Sequence, residues 1–514
     1  MLSKTYCAAV NGLSVNTVTV EISVEPGQKF ILSGLGDEAI RESFGRITTA
    51  VGYSGFKFPQ KSIIINLSPA NLRKEGSAYD LSMAVGVMAA DDDLPHTHLH
   101  EYMLVGEVGL DGRLKPVAGI LPMAILARKE KFKGIIVPRE NAREAAVVNN
   151  LEVYGMDTLL QVVQFLSDQI TAEPLVVDTR KLFYQQQLEA SDLDFADVKG
   201  QESVKRAMEV AAAGGHNIIM IGPPGSGKSM MAKRLPSILP PLSLAESLET
   251  TQIHSVAGKL GTNQSLIYQR PFRAPHHTIS QVALVGGGIS PQPGEISLAH
   301  NGVLFADELP EFNKSTLEVL RQPLEDRKIT ISRAKYTTEY PCSFMFVASA
   351  NPCPCGYYGD ATHNCVCTPG QIHRYMSKIS GPLLDRIDIQ CEIQPVSTES
   401  LSQLGKAEPS SEIRKRVIAA RKIQEERFKP YKDVHCNAMM NEKMLHEFAE
   451  PDEESVKMLR MAMEKFKLSA RAYSRILKVS RTIADLEGCE CIKMNHIAEA
   501  VGYRNLDRSD WAER

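Results

Sequence analysis

Residues 218–229 read Ile218-Ile-Met-Ile-Gly222-Pro223-Pro224-Gly225-Ser226-Gly227-Lys228-Ser229. Four apolar, β-prone residues run into a glycine-rich turn, and Lys-Ser opens a helical stretch from Met230 to Leu235. This is the GxxxxGK[ST] pattern of a P-loop, set between the strand and the helix it requires. Glycines let backbone N–H groups wrap phosphate oxygens, and the helix N-terminus adds positive potential. In such a loop Lys228 reaches the β- and γ-phosphates and Ser229 ligates Mg²⁺. A Gly-Pro turn that merely contains Lys-Ser is the plain alternative, and the flanking strand and helix argue against it. The middle of the chain is therefore expected to be an α/β P-loop core: a parallel sheet with helices on both faces.

Two later strings strengthen this reading. Gly302-Val-Leu-Phe-Ala-Asp307-Glu308 is an apolar strand ending in two acids. In a P-loop enzyme the Asp helps hold Mg²⁺, and Glu308 could serve as general base for the attacking water. The run Ser343 to Ala350 reads as a further strand, with Asn351 at its tip. A polar side chain there could orient the lytic water, whereas an ordinary turn Asn before Pro352 is the bland reading.

The chain has 514 residues, 58 Lys+Arg and 61 Asp+Glu, for a net charge of −3. A near-neutral chain is not a polybasic nucleic-acid coat, so any such contact must come from a local patch. No apolar run approaches the ~18 residues of a membrane span, and no signal-peptide pattern follows Met1. A cytoplasmic protein with reduced thiols is expected. Residues 1–170 mix alternating runs (Thr17–Val24), short apolar runs (Ser62–Leu67, Gly134–Pro138) and helical stretches (Leu81–Ala90, Leu121–Lys129). They read as an α+β domain. Residues 171–195 read as a polar linker, 196–395 as the motif-bearing core, and 396–514 as a helical lid.

Taken together, Gly222 to Ser229, Phe305-Ala-Asp-Glu308, Asn351 and Leu383-Leu-Asp-Arg386-Ile-Asp388 resemble an AAA+ ATPase of the magnesium-chelatase and MCM-like branch. More closely, the chain resembles the YifB/ComM family of magnesium chelatase-like proteins. The strings that carry this are Ala211-Ala-Ala-Gly-Gly-His-Asn217, Pro271-Phe-Arg-Ala-Pro-His-His-Thr278, Gly294-Glu-Ile-Ser-Leu-Ala-His300, Asn351-Pro-Cys-Pro-Cys-Gly356 and Ser380-Gly-Pro-Leu-Leu-Asp385. The resemblance implies a homo-oligomeric ring, expected to be hexameric, with ATP at each subunit interface. It implies that Arg386 is an arginine finger acting on a neighbour's γ-phosphate, and that Arg471 is the second sensor of the lid, with Arg475 as its rival. Local pairing of Arg386 with Asp385 or Asp388, and a solvated Arg471, are the plain readings of the residues alone.

The 79 positions from Lys228 to Asp307 exceed a minimal core and include the glycine-rich Leu284–Gly294 segment. That segment resembles the helix-2 insert of this branch. Residues Arg327 to Tyr340 alternate as a β-hairpin would, with Arg333 and Lys335 near the tip. The residues alone fit a solvated hairpin. The resemblance to the pre-sensor hairpin of ring helicases implies contact with the DNA backbone, which is electrostatic and independent of sequence.

Four of the ten cysteines, Cys353, Cys355, Cys365 and Cys367, form CxC-x9-CxC. Four thiolates on two tight turns can surround one Zn²⁺, with His363 as a possible substitute. Free thiols or redox sensing are the alternatives. In the N-terminal region, Val105 to Ala124 and Arg73 to Leu81 resemble the proteolytic domain of Lon-type proteases, which use a Ser–Lys dyad. Ser77 sits near the serine's place, but Leu121 stands where the lysine belongs. A non-proteolytic Lon-like domain is expected, although Lys74 or Lys115 could rescue a dyad in three dimensions.

The leading functional expectation is an ATP-driven motor on single-stranded or branched DNA, a helicase or branch-migration enzyme of natural transformation or recombination. A metallochelatase-type motor subunit or a protein-remodelling ATPase comes next. An ATP-dependent protease comes last.

Overall fold

The computed structural model describes residues 2–187, 193–261, 264–288, 291–333, 336–360, 363–394, 407–466 and 468–504. The N-terminal part is built on a mixed seven-stranded sheet. Its strands are β1 (Leu2–Asn11), β2 (Ser14–Glu25), β3 (Phe30–Ser33), β4 (Ser62–Ser68), β5 (Tyr102–Leu104), β6 (Gly134–Pro138) and β7 (Glu152–Met156). They lie in the order β3-β4-β2-β1-β5-β6-β7. The period-2 pattern sets the faces: Val18, Val20, Ile22 and Val24 of β2, with Ile63, Ile65 and Leu67 of β4, are all buried. Helices α1 (Glu38–Tyr53), α2 (Asp80–Ala90) and α3 (Ile120–Lys129) complete this core.

The stretch read as a linker is more ordered than expected. It carries helix α4 (Thr179–Gln187), whose Phe183 is buried. Thr179 donates its hydroxyl to the Val147 carbonyl at 2.9 Å. On this helix Arg180, Lys181 and Tyr184 are exposed.

The central part begins with α5 (Glu202–Gly214), then β8 (Ile218–Ile221), α6 (Lys228–Ile238) and α7 (Leu244–Val256). Strands β9 (Phe272–Arg273) and β10 (Val303–Ala306) follow, then α8 (Arg321–Asp326). Next come β11 (Lys328–Arg333), β12 (Tyr336–Pro341), β13 (Met345–Ala350) and β14 (Ile389–Glu392). Five of these strands form one parallel sheet in the order β9-β10-β13-β8-β14. Short apolar runs alternate between two cores, as a sheet covered on both faces requires. Ile218, Met220, Val303, Phe305 and Val347 enter one cluster; Ile219, Ile221, Leu304, Ala306 and Phe346 enter the other.

The C-terminal part is helical: α9 (Ser410–Phe428), α10 (Glu442–Phe448), α11 (Glu453–Phe466), α12 (Ala470–Leu486) and α13 (Met494–Gly502). Its Ile476, Leu477, Val479 and Ile483 share the cluster that holds Ile218 and Val303. A polar joint runs beside this apolar one. His216 Nδ1 lies 3.2 Å from Asp388 Oδ2, and its Nε2 lies 2.8 Å from Thr482 Oγ1. Arg475 of α12 faces Asp388 as an ion pair at 3.0 Å.

The N-terminal part docks on the central part through α3 and α7. The Gly119 N–H donates to the Ser255 carbonyl at 3.0 Å, and the Ser255 hydroxyl donates to the buried Glu144 carboxylate. Leu266 is buried within the N-terminal core, with Leu244, Leu248 and Tyr268 packed against it.

Candidate nucleotide site and cysteine loop

The P-loop leaves the end of β8 and enters α6, with Gly225 and Gly227 at φ values of 76° and 91°. Those left-handed conformations favour glycine. Lys228 is buried. Its ammonium donates to the carbonyls of Gly222 (2.7 Å) and Pro223 (2.8 Å) and to Asn351 Oδ1 (3.2 Å). Burial lowers the pKa of Lys228, against the opposing pull of Asp307 and Glu308. The P-loop lysine, the strand-tip asparagine and the acidic pair are thus within one electrostatic site, at the C-terminal ends of adjacent strands. Ligands of open α/β sheets bind at such ends.

Ser229 donates its hydroxyl to Asp307 Oδ2 at 2.8 Å. Asp307 receives a second hydroxyl, from Ser349 of β13. Ser349 in turn accepts the Glu308 N–H at 3.1 Å. Glu308 is held at φ 54°, a conformation that costs a non-glycine residue roughly 1–2 kcal/mol. Its side chain is half exposed, with His277 Nδ1 at 4.0 Å. Ser349 was not singled out in the sequence, where it sits inside an apolar run. The parallel pairing of β10 with β13 places it beside Asp307.

Arg386 lies in the strap before β14. Its guanidinium donates to the Pro382 carbonyl at 2.7 Å and pairs with Glu325 of α8. Its Nε is buried without a hydrogen-bond partner among the described residues. The local partner is thus Glu325, and not Asp385 or Asp388 as the residues alone suggested. Arg471 is largely exposed and pairs with Asp385 at 2.9 Å. The rival Arg475 is engaged by buried Asp388.

The hairpin expected after Asp307 is present: β11 and β12 pair antiparallel from Lys328↔Pro341 to Arg333↔Tyr336. Ile329, Ile331 and Tyr340 face the core, and Lys328 pairs with Glu339 at 2.9 Å on the outer side. Lys335 and the side chain of Arg333 lie outside the described residues.

The four sulfurs of Cys353, Cys355, Cys365 and Cys367 lie within 4.8 Å of one another. Cys353 is 3.3 Å from Cys355 and 3.7 Å from Cys365, and Cys355 is 3.5 Å from Cys365. Ligands about 2.3 Å from a tetrahedral Zn²⁺ stand roughly 3.8 Å apart, so the donor set fits that ion. His363 instead stacks on Tyr357 at 4.8 Å and leans toward Asp360.

In the N-terminal part, Ser77 donates its hydroxyl to Glu107, and Glu107 also lies 3.7 Å from Lys115. Lys74 is buried and spends its ammonium on the carbonyls of Gly34 (2.9 Å), Leu67 (2.9 Å) and Pro69. Leu121 is fully buried. Ser77 borders a cavity of about 490 Å³, also lined by Asp37, Glu75 and, across the domain junction, Gln292 and Thr338.

Residues 194–401 match the family described as "Magnesium chelatase, subunit ChlI". Residues 20–141 match "Subunit ChlI of Mg-chelatase" and 407–504 match "Magnesium chelatase, subunit ChlI C-terminal". The chain is 43% identical over 509 residues to the competence protein ComM of Haemophilus influenzae, covering 99% of this chain and 98% of that protein. It is 41% identical over 510 residues to YifB of Escherichia coli, with the same coverage of each. A stretch of 159 residues, 28% of this chain, is 31% identical to Lon protease 2 of Bacillus subtilis and covers 27% of it.

Proposed function

The chain belongs to the magnesium chelatase-like AAA+ family that includes ComM and YifB, and from that premise we propose that it is an ATP-hydrolysing ring motor acting on DNA. The observation that carries the ATPase half is the junction of Ser229, Asp307, Ser349 and Glu308 beside Lys228 and Asn351. ATP would lie along the P-loop N–H groups. Ser229 and Asp307 would hold Mg²⁺, which supplies charge neutralisation at the phosphates. Glu308 would take the proton of the attacking water, and Asn351 would orient that water. Arg386 would serve the neighbouring subunit's nucleotide in a hexameric ring, leaving Glu325 to do so. Arg471, on a lid helix and exposed, would complete the site.

The DNA half rests on the hairpin β11–β12, with Arg333 and Lys335 as the contacts, and on kinship with a relative named a competence protein. Helicase or branch-migration activity in natural transformation or recombination is the task we infer, within the cytoplasm. The same ATP site would serve a chelatase-type or protein-remodelling motor. The cysteine loop is read as a structural Zn²⁺ site. The N-terminal part is read as a Lon-like domain without a working dyad: the Ser77 hydroxyl faces a carboxylate, and Lys74 is committed to carbonyls.

The test is the steady-state ATPase rate of the wild type and Glu308→Gln, with and without single-stranded DNA. Stimulation in the wild type that is lost in the variant is the expected result. A basal rate indifferent to DNA sinks the DNA reading and withdraws Arg333 and Lys335.

A further inference from the structure

The cysteine loop leaves the nucleotide site directly, because Asn351 and Cys353 are two positions apart. Asn351 accepts from the Lys228 ammonium at 3.2 Å. Five residues on, the loop returns to the P-loop at a second point. Gly356 is buried at φ 87°, and a Cβ there would lie 2.6 Å from Pro224 Cδ and 2.8 Å from Cγ. The backbone at Gly356 is thus seated on the Pro224 ring, with no room for a side chain. The Gly356 N–H donates to the Cys353 carbonyl at 3.0 Å. The turn that touches Pro224 is therefore the turn that carries Cys353 and Cys355.

Inside the loop, His363 stacks on Tyr357 and its backbone N–H donates to Asp360 at 3.3 Å. The described residues of the segment 352–367 form no helix or strand. Val366 is exposed, and Cys353 is the one fully buried thiol of the four. Local contacts of this kind offset only part of the backbone entropy of a segment without helix or strand, whereas a metal shared by four thiolates couples ligand binding to folding.

We propose that the cysteine loop, closed by a metal ion, is a strut that sets the shape of the P-loop, so that nucleotide affinity depends on occupancy of the four thiols. The inference rests on the zinc reading above and deepens it. The thiols act through Gly356 on Pro224, and through the shared segment on Asn351 and Lys228.

The experiment uses the full chain. Zinc is measured by elemental analysis, expected at one per chain. The affinity for a fluorescent ADP analogue in Mg²⁺ is measured before and after a zinc-selective chelator, with the excess chelator removed. Affinity is expected to weaken at least tenfold and to recover when Zn²⁺ is restored. Gly356→Ala tests the contact without touching a ligand. It is expected to keep its zinc, which reports an intact loop, yet to bind the analogue about tenfold more weakly. Cys365→Ser is expected to lose both metal and affinity while retaining wild-type helical content by circular dichroism. A protein without zinc overturns the metal reading, and Gly356→Ala alone then judges the strut. Zinc present, with affinity unchanged both on its removal and in Gly356→Ala, overturns the strut and leaves the metal site standing.

Discussion

The Ser229 hydroxyl donates to Asp307 at 2.8 Å, so the first turn of α6 and the end of β10 are hydrogen-bonded directly. Asp307 also takes the hydroxyl of Ser349, whose oxygen receives the Glu308 N–H. One serine thus holds both acids at once. Ser349→Ala strips a partner from each. Asp307 is part-buried, a hydrogen bond to a charged group is worth about 1.5–3 kcal/mol, and each 1.4 kcal/mol is tenfold in rate. ATP turnover is expected to fall roughly 10- to 100-fold, with the KM for ATP little changed. An unaltered kcat removes Ser349 from the site.

Within its own chain Arg386 gives its two terminal nitrogens to Pro382 and Glu325. If it serves a neighbour, Arg386→Ala and Lys228→Ala should each be inactive alone, since a finger of this kind is worth about 10³- to 10⁵-fold. Mixed in equal amounts, they should recover part of the rate, because each supplies what the other lacks. A mixture as dead as its components excludes action in trans.

The two lid arginines separate by environment. Arg475 faces an Asp388 that is fully buried, and breaking a buried pair costs about 3–5 kcal/mol. Arg471 pairs with Asp385 in solvent, where such pairs are worth about 0–1 kcal/mol. Arg475→Ala is therefore expected to lower Tm clearly. Arg471→Ala should leave Tm in place and reduce ATP turnover. The reverse pattern would give the sensor role to Arg475.

The joint around His216 also fixes a pH response. Burial depresses the His216 imidazole, against the pull of Asp388. The folded value lies below the unfolded one, near 6.5, so the unfolded chain takes up the proton first as pH falls. Stability is therefore lost from about pH 6.5 downward. Burial would raise Asp388, but Arg475, His216 and Lys478 outweigh it and hold the carboxyl well below its ordinary range. Its contribution persists to much lower pH. Thermal melts should give a lower Tm at pH 5.5 than at pH 7.5. His216→Gln should flatten that slope while lowering Tm at both. Buried His254 shifts the same way and adds to the slope, whereas His98 is raised by Glu101 and Asp168 and opposes it.

Sequence carried the local features well. The P-loop, the Asp307–Glu308 strand end, the hairpin and the four cysteines are contiguous strings, and period or spacing reveals each. Ser349 escaped because its role depends on strand pairing, which a single apolar run does not encode. His216, Asp388 and Arg475 stood out as family strings, but their joint spans 172 positions from His216 to Asp388 and a further helix. The burial of Phe183 was not legible either, because the ring it meets, Tyr268, lies in another part of the chain, with the centroids 6.3 Å apart.

The seating of α3 on α7 bears on inheritance. Leu266 lies within the N-terminal part's own core, and Leu244, Leu248 and Tyr268 pack against that core. Deleting the N-terminal part would strand this surface in water at about 25 cal/mol for each Å² of apolar area. It would also leave Ser255 without Glu144. A lineage could therefore lose every trace of chemistry at Ser77 and still be unable to discard the domain around it. The ATPase would retain the domain for the apolar surface it covers, whatever became of its serine.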